Sequence, residues 1–330
     1  MRMLQDKFGR DIHDLRVSVT DRCNFSCVYC KSADPKNYVP HRDLLSWDEF
    51  HRVARVLVGM GIRKVRVTGG EPLLRDGVVD FIGRLRQLPG LEDVAITTNG
   101  YLLPEMARDL AAAGSPRVTV SLDSTDPVKF ARITRTPRSF EKVMAGVEAA
   151  LEAGLKPVKV NIVLVRGFND DEIVDFARLA RRRDIVVRFI EFMPLDADHH
   201  WNRDLVVPAK EIVEAINPVF PLVEVPRNTA SETALRYRFA DGQGELGIIA
   251  PVSIPFCGQC SRLRLTADGK IRTCLFSLHE HDVRHLTRNG ATDADLERFF
   301  AQAVAHKEPG HRINEPDFVQ PKRTMVYIGG

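Results

Sequence analysis

Short runs of β-branched and aliphatic residues recur along the first two hundred positions, and between them the apolar residues fall three and four apart. The runs are LRVSV (15–19), KVRVT (64–68), VAITT (94–98), RVTVSL (117–122), VKVNIVLV (158–165) and VVRFIEF (186–192). Their length and β-branched content predict strands. Between them lie helical patterns. In SWDEFHRVARVLVGMG, Phe50, Val53, Ala54 and Leu57 share one face, and Ser46 with Glu49 makes a capping box. Further helices are predicted near 77–88, 104–113, 139–153 and 169–182, most ending near Gly or Pro. Strands alternating with helices predict an α/β fold with a parallel sheet. Right-handed crossovers then put the C-terminal ends of all the strands on one edge, where ligands bind in barrels and open sheets alike. A six-unit partial barrel and a doubly wound sheet both remain open at this level.

The alternation stops after MPLDADHHWNRD (193–204), a polar stretch that predicts a boundary, with one domain over 1–200 and a second over 201–330. The second part begins with a helix, PAKEIVEAI (208–216), and continues with short strands. Asp268-Gly269 in LRLTADGKIRTC predicts a hairpin turn. A last helix near 293–306 precedes a tail ending in Gly329-Gly330, and no internal repeat or low-complexity tract stands out.

Composition narrows the class. The 330 residues are 44% hydrophobic and 28% charged, the range of a folded protein with a large core rather than a disordered chain. A net charge of +3 is too small to imply a nucleic-acid or membrane surface. The charged start, MRMLQDKFGRDIHD, lacks the apolar run of a signal peptide, and no membrane span is predicted, so a cytoplasmic protein is expected. Six cysteines in two tight groups argue for metal or redox chemistry rather than disulfides.

The first group, Cys23, Cys27 and Cys30 in DRCNFSCVYC, follows the first predicted strand and so falls on the ligand-binding edge. A closed metal site usually has four protein ligands. Three thiolates from one loop suit an iron–sulfur cube with one iron left open to a small molecule. Zinc completed by His13 or His41 is the alternative. The second group is Cys257, Cys260 and Cys274, again three, and a Cys₃His zinc site using His279 or His281 is an equal reading of its spacing. Arg262 and Arg264 alternate along a strand just after Cys257 and Cys260, so both share one face beside that group, which suits an anionic ligand. Arg16, Arg66 and Lys159 sit inside otherwise apolar strands, where a charge is costly unless paired or solvated. Salt bridges, for example to Glu191, are the plain explanation. A basic pocket for a polyphosphate, with Thr97 as a neutral donor, is the functional one. His199-His200 and ARRRD (180–184) read as solvated surface, and a Gly-Gly terminus ordinarily frays.

The CxxxCxxC spacing with Tyr29 before its last cysteine, together with TGGEP (68–72), resembles the signature of radical S-adenosylmethionine (SAM) enzymes. That resemblance implies a [4Fe–4S] cluster whose open iron is chelated by SAM, with Tyr29, Gly70, Ser121 and Met193 contacting the cofactor. DRCNFSCVYC, TGGEP, TTNG, SLDS, VKVN, RFIEFMP, both cysteine triplets, SRLRL and the terminal Gly-Gly together resemble the GTP 3′,8-cyclase family of molybdenum cofactor biosynthesis. The resemblance implies a six-unit partial (βα) barrel, closed at its mouth by a C-terminal α+β extension that carries a second [4Fe–4S] cluster, whose free iron binds the guanine of GTP. Arg16, Arg66, Thr97, Lys159, Arg262 and Arg264 would hold GTP. A 5′-deoxyadenosyl radical would take hydrogen from ribose C3′, and the carbon radical would attack C8. Gly329 and Gly330 would assist the later chemistry. An external electron donor, a homodimer and a downstream cyclic pyranopterin monophosphate synthase are also implied. A peptide-modifying radical SAM enzyme and a zinc-bearing nucleic-acid module are the rival readings.

Overall fold

The computed structural model of the chain describes residues 3–33, 38–115 and 117–329. Its first part is a run of βα units: β1 (Asp14–Ser18), α1 (Trp47–Gly59), β2 (Lys64–Thr68), α2 (Val78–Arg86), β3 (Asp93–Thr98), α3 (Leu103–Ala112) and β4 (Arg117–Ser121). It continues with α4 (Pro127–Thr134), α5 (Phe140–Glu152), β5 (Val158–Leu164), α6 (Ile173–Arg182) and β6 (Ile185–Glu191). The remainder comprises α7 (Ala209–Ile216), β7 (Leu222–Val225), β8 (Leu235–Phe239), β9 (Glu245–Ile249), β10 (Arg262–Leu265), β11 (Lys270–Arg272) and β12 (His281–Asp282), then α8 (Arg284–Arg288), α9 (Asp293–Ala305) and α10 (Met325–Ile328).

Among the described residues these strands form one sheet, in the order β12-β11-β10-β1-β2-β3-β4-β5-β6-β9-β8-β7. β1 to β6 are parallel to their neighbours. β10 adds in parallel beside β1 and β9 beside β6, and antiparallel pairs finish both ends. The order has two free ends, so the barrel is partial, and strands from the C-terminal part extend it on both sides.

Local chemistry explains the elements that the sequence predicts. Ser46 accepts from the Glu49 amide while the Glu49 carboxylate accepts from the Ser46 amide, so the α1 capping box is present. Along β5, Val158, Val160, Ile162 and Leu164 are buried at alternate positions, leaving Lys159, Asn161 and Val163 on the opposite, cavity-lining face. Each fully buried aliphatic side chain contributes about 1.5–3 kcal/mol. The turn between β10 and β11 holds Gly269 at φ +78°, a conformation that favours glycine.

Several elements differ from the sequence reading: α8 and α10 were not expected, α10 lying beyond the helix near 293–306 that was predicted as the last. α4 was not expected, although Asp126 caps it by accepting from the Lys129 amide and Pro127 occupies its first turn. The segment predicted as helix from 169 becomes α-helical only at Ile173. Asn169 is diverted into the loop: its side-chain Oδ1 accepts from the Val165 amide, and its Nδ2 donates to the Asp123 and Val163 carbonyls. No helix among the described residues is long and apolar enough to cross a membrane.

Candidate active site

Parallel register decides what meets at the centre. Arg264 on β10 is the Cα partner of Arg16 on β1, which in turn partners Arg66 on β2, so three guanidiniums stand in one row across neighbouring strands. Thr119 partners Lys159, and Asn161 partners Arg188, one layer further along the barrel wall. All of these except Thr119 line a cavity of about 470 Å³ that runs between the two cysteine groups. The predicted residues Cys23, Cys27, Cys30, Tyr29, Gly70, Ser121, Met193, Arg16, Arg66, Thr97, Lys159, Arg262, Arg264, Cys257, Cys260 and Cys274 all lie on its walls. Gly329 is buried beside it, and its carbonyl accepts from Arg264 at 2.7 Å. Gly330 lies outside the described residues.

Around the first triplet, the loops after successive strands lock together. The Gly70 amide donates to the Thr20 carbonyl at 2.6 Å and the Glu71 amide to the Arg22 carbonyl at 2.8 Å. A Cβ on Gly70 would lie 2.3 Å from the Arg22 oxygen, so glycine is required here by the cysteine loop itself. Glu71 is fully buried, accepting from Thr98 Oγ1 and from the Asn99 and Leu73 amides, while burial raises its pKa to about 7. Tyr29 donates to Asp123 at 2.6 Å, and burial lifts that carboxyl to about 6.

The three thiols are free, and burial is the main force resisting their ionisation. It pushes Cys23 up to about 11 and raises Cys27 and Cys30 well above the ordinary thiol value. Donors nevertheless point at sulfur: the Phe25 amide lies 3.4 Å and Asn99 Nδ2 3.9 Å from Cys23 Sγ. Three soft thiols on one loop, with N–H groups aimed at them and an open cavity in front, fit an iron–sulfur cube. Neither His13 nor His41, the fourth ligands suggested for zinc, lines that cavity. Among the described residues no three His, Cys, Asp or Glu side chains converge tightly enough to hold one metal ion.

At the second triplet, Cys257 and Cys260 flank a 3-10 turn and Cys274 follows β11. Burial opposes ionisation of Cys260, yet Arg262 and Lys307 outweigh it and bring the thiol down to about 6. Burial raises Cys274. His279 and His281 are absent from the cavity wall, whereas His311, which sequence reasoning passed over, is part of it. The donor set, three thiols with a guanidinium at one of them, again suits a cluster whose last position faces the cavity.

The cations between the triplets are not neutralised by the carboxylate suspected from sequence. Glu191 accepts instead from the Ala209, Val252 and Ser253 amides at 3.0, 2.8 and 2.9 Å, and from the Ser253 hydroxyl. It staples the C-terminal part to the end of β6. Arg66 donates to Thr97 and Thr119, both at 3.2 Å, and Arg188 to Thr119 at 3.3 Å. Burial first, and then repulsion from Arg264, Arg66, Arg262 and Arg188, holds Arg16 well below the usual guanidinium range. Lys159 is brought down to about 7 by burial and by Arg188, Arg117 and Arg66. Such a cluster is expensive when empty and suits a polyanion.

Sequence reasoning missed Arg188 and Arg117. Arg188 interrupts VVRFIEF in the same way that Arg66 interrupts KVRVT, so the signal was present. Its Nε is buried without a hydrogen-bond partner among the described residues. Arg117 at the start of β4 is held by Asp93.

Residues 17–180 match the Radical SAM superfamily and residues 185–313 match Molybdenum Cofactor Synthesis C. The GTP 3′,8-cyclase of Heliobacterium modesticaldum is 44% identical over 326 residues, 98% of this chain and 99% of that one. The GTP 3′,8-cyclase of Mycolicibacterium smegmatis is 46% identical over 332 residues, covering 99% and 92%. Among solved structures, Streptococcus suis SuiB bound to S-adenosylmethionine superposes with a TM-score of 0.63 at 12% identity, over 95% of this chain and 76% of that one. anSMEcpe with bound AdoMet gives 0.60 at 13%, over 92% and 79%. Those two likenesses bear on the fold alone.

Proposed function

Because the chain belongs to the GTP 3′,8-cyclase family of radical SAM enzymes, we propose that the cavity between its two cysteine triplets is where GTP is held and cyclised. The chain converts GTP to 3′,8-cyclo-7,8-dihydro-GTP, the first step of molybdenum cofactor biosynthesis. A [4Fe–4S] cluster with SAM supplies, when bound, the one-electron cleavage that generates a carbon radical oxidant.

Cys23, Cys27 and Cys30 would hold that cluster, and Tyr29, Gly70, Ser121 and Met193 would line the SAM site. In this reading Gly70 lets the loop after β2 close on the cysteine loop, and Tyr29, fixed by Asp123, walls the cofactor off from solvent. Cys257, Cys260 and Cys274 would hold a second [4Fe–4S] cluster, against which the guanine rests. Arg16, Arg66, Lys159, Arg262 and Arg264 would bind GTP, chiefly its phosphates, with Arg188 added by the structure and Thr97 as the neutral donor. The residues thus orient the ribose toward the SAM side and exclude water, so a reactive radical meets one C–H bond. Gly329 and Gly330 would assist the chemistry that follows SAM cleavage. A division near residue 200 into SAM and substrate parts, an external electron donor, a homodimer, a downstream cyclic pyranopterin monophosphate synthase and a cytoplasmic setting complete the reading.

The observation that carries it is the arrangement of cations: one row of arginines, set across β10, β1 and β2, between two triplets of free thiols. The test is anaerobic reconstitution, iron and sulfide analysis, and incubation with SAM, GTP and reductant. About eight irons per chain are expected, falling to about four in Cys274→Ser. Zinc in place of iron at the second triplet, or no consumption of GTP, would overturn it.

A further inference from the structure

The chain terminus is tied down by a charge network that lies outside the cavity. Arg323 forks onto Asp268, Nη1 to Oδ1 at 3.0 Å and Nη2 to Oδ2 at 2.7 Å, and its Nε reaches Glu280 Oε1 at 2.8 Å. The same Glu280 oxygen accepts from Arg272 at 2.5 Å. Arg272 is only 2% exposed and spends another nitrogen on the Ser277 carbonyl. Asp268, Arg323, Glu280 and Arg272 therefore alternate in sign along one chain of contacts. Isolated surface ion pairs contribute little, but a partly buried bidentate pair inside a network has a defined geometry.

What the network joins gives it meaning. Asp268 forms the β10–β11 turn, Arg272 is the register partner of Arg264, and Cys274 follows two residues later. One hairpin thus presents Arg262, Arg264 and Cys274 to the cavity and grips Arg323 on its outer side. From Arg323 the tail has six residues to Gly329. The Met325 amide donates to the Leu195 carbonyl at 3.2 Å, Ile328 packs among Leu195, Val252, Phe276 and Ile313, and the Gly329 carbonyl meets Arg264.

We infer that Arg323 is a positioning residue: held by Asp268 and Glu280, it registers the terminal segment against the β10–β11 hairpin so that Gly329 reaches Arg264. Arg323 does not line the cavity and touches no predicted ligand contact, so it acts through the tail and the hairpin. Charge pairing is consistent with this. Asp268 is held below the ordinary carboxylate value because Arg323 outweighs its burial.

The kinetic part of this inference rests on the cyclase reading, whereas the structural part is tested separately. Amide exchange of residues 319–329, followed by mass spectrometry on anaerobically reconstituted protein, reads tail seating directly. Arg323→Gln and Asp268→Asn should each speed exchange at least tenfold, and the double variant should be no faster than either single one. For cyclisation, kcat should fall at least tenfold, while the KM for GTP stays within twofold and iron and sulfide content are unchanged. Equal exchange in wild type and variants, additive effects in the pair, or activity lost in step with iron or Tm would overturn the positioning role. Wild-type protein that binds iron and SAM yet leaves GTP unchanged would count against the cyclase reading, while the exchange data would still judge the network by themselves.

Discussion

Lys159 converts the crowding of the cationic wall into a measurable proton. With burial, Arg188, Arg117 and Arg66 holding its pKa near 7, about half of the ligand-free molecules at pH 7 carry a neutral amine there. A polyphosphate beside it stabilises the ammonium, so the bound-state pKa lies higher. Between about pH 7 and that higher value the complex holds up to one more proton than the free protein, so GTP binding takes up protons and weakens as pH rises. The neutral-amine penalty is a factor of 2 at pH 7 and about 100 at pH 9, so affinity should fall roughly 50-fold across that range. The terminal phosphate of the nucleotide ionises near ~6 and is complete by then, so it does not mask the effect. Arginine keeps its proton in proteins, so the lowered values of Arg16, Arg66, Arg188 and Arg264 express the cost of crowding buried charges rather than a loss of charge in this range. The assay is anaerobic titration calorimetry of reconstituted protein with GTP, without SAM, at pH 8 in two buffers of different ionisation enthalpy, repeated from pH 7 to 9. Close to one proton should be absorbed per GTP at pH 8. Lys159→Arg, which keeps a fixed charge, should flatten the profile to within about threefold. Wild-type binding that absorbs no proton and is flat with pH would refute the argument.

Three further outcomes concern the tail and the cysteine loop. Gly329 has φ +81°, and a Cβ there would lie 2.6 Å from Thr68 Cγ2, so Gly329→Ala should displace the tail and cut turnover at least tenfold. Deleting Gly329 and Gly330 should abolish product with unchanged iron and sulfide, and normal turnover by that truncation would show the tail to be dispensable. Gly70→Ala would force a methyl onto the Arg22 carbonyl, an overpacking on the order of 2–3 kcal/mol, read as a lower Tm even before reconstitution. An unchanged Tm would mean that the cysteine loop yields freely.

Much of this protein was legible along the chain because the signals are local. CxxxCxxC places three thiols on one loop whatever surrounds it. Ser46 and Glu49 cap α1 from three residues apart, and Arg16, Arg66 and Lys159 announce themselves as charges inside apolar strands. Arg188 carries the same signal and was overlooked. The capping chemistry of α4, in Asp126 and Pro127, was also readable.

Other features exist only once distant strands are set side by side. Nothing within LRVSV or SRLRL says that β10 pairs with β1 in the register that aligns Arg264, Arg16 and Arg66. Glu191 looked like a partner for those cations and instead ties the C-terminal part to β6. The grip of Asp268 and Glu280 on Arg323 spans more than forty residues of sequence. Periodicity and spacing determine which groups a segment offers and on which face, because those follow from backbone geometry repeated every few residues. Which groups end up sharing a charge, a cavity or a neighbour depends on strand order and register, and only packing of the whole sheet decides those.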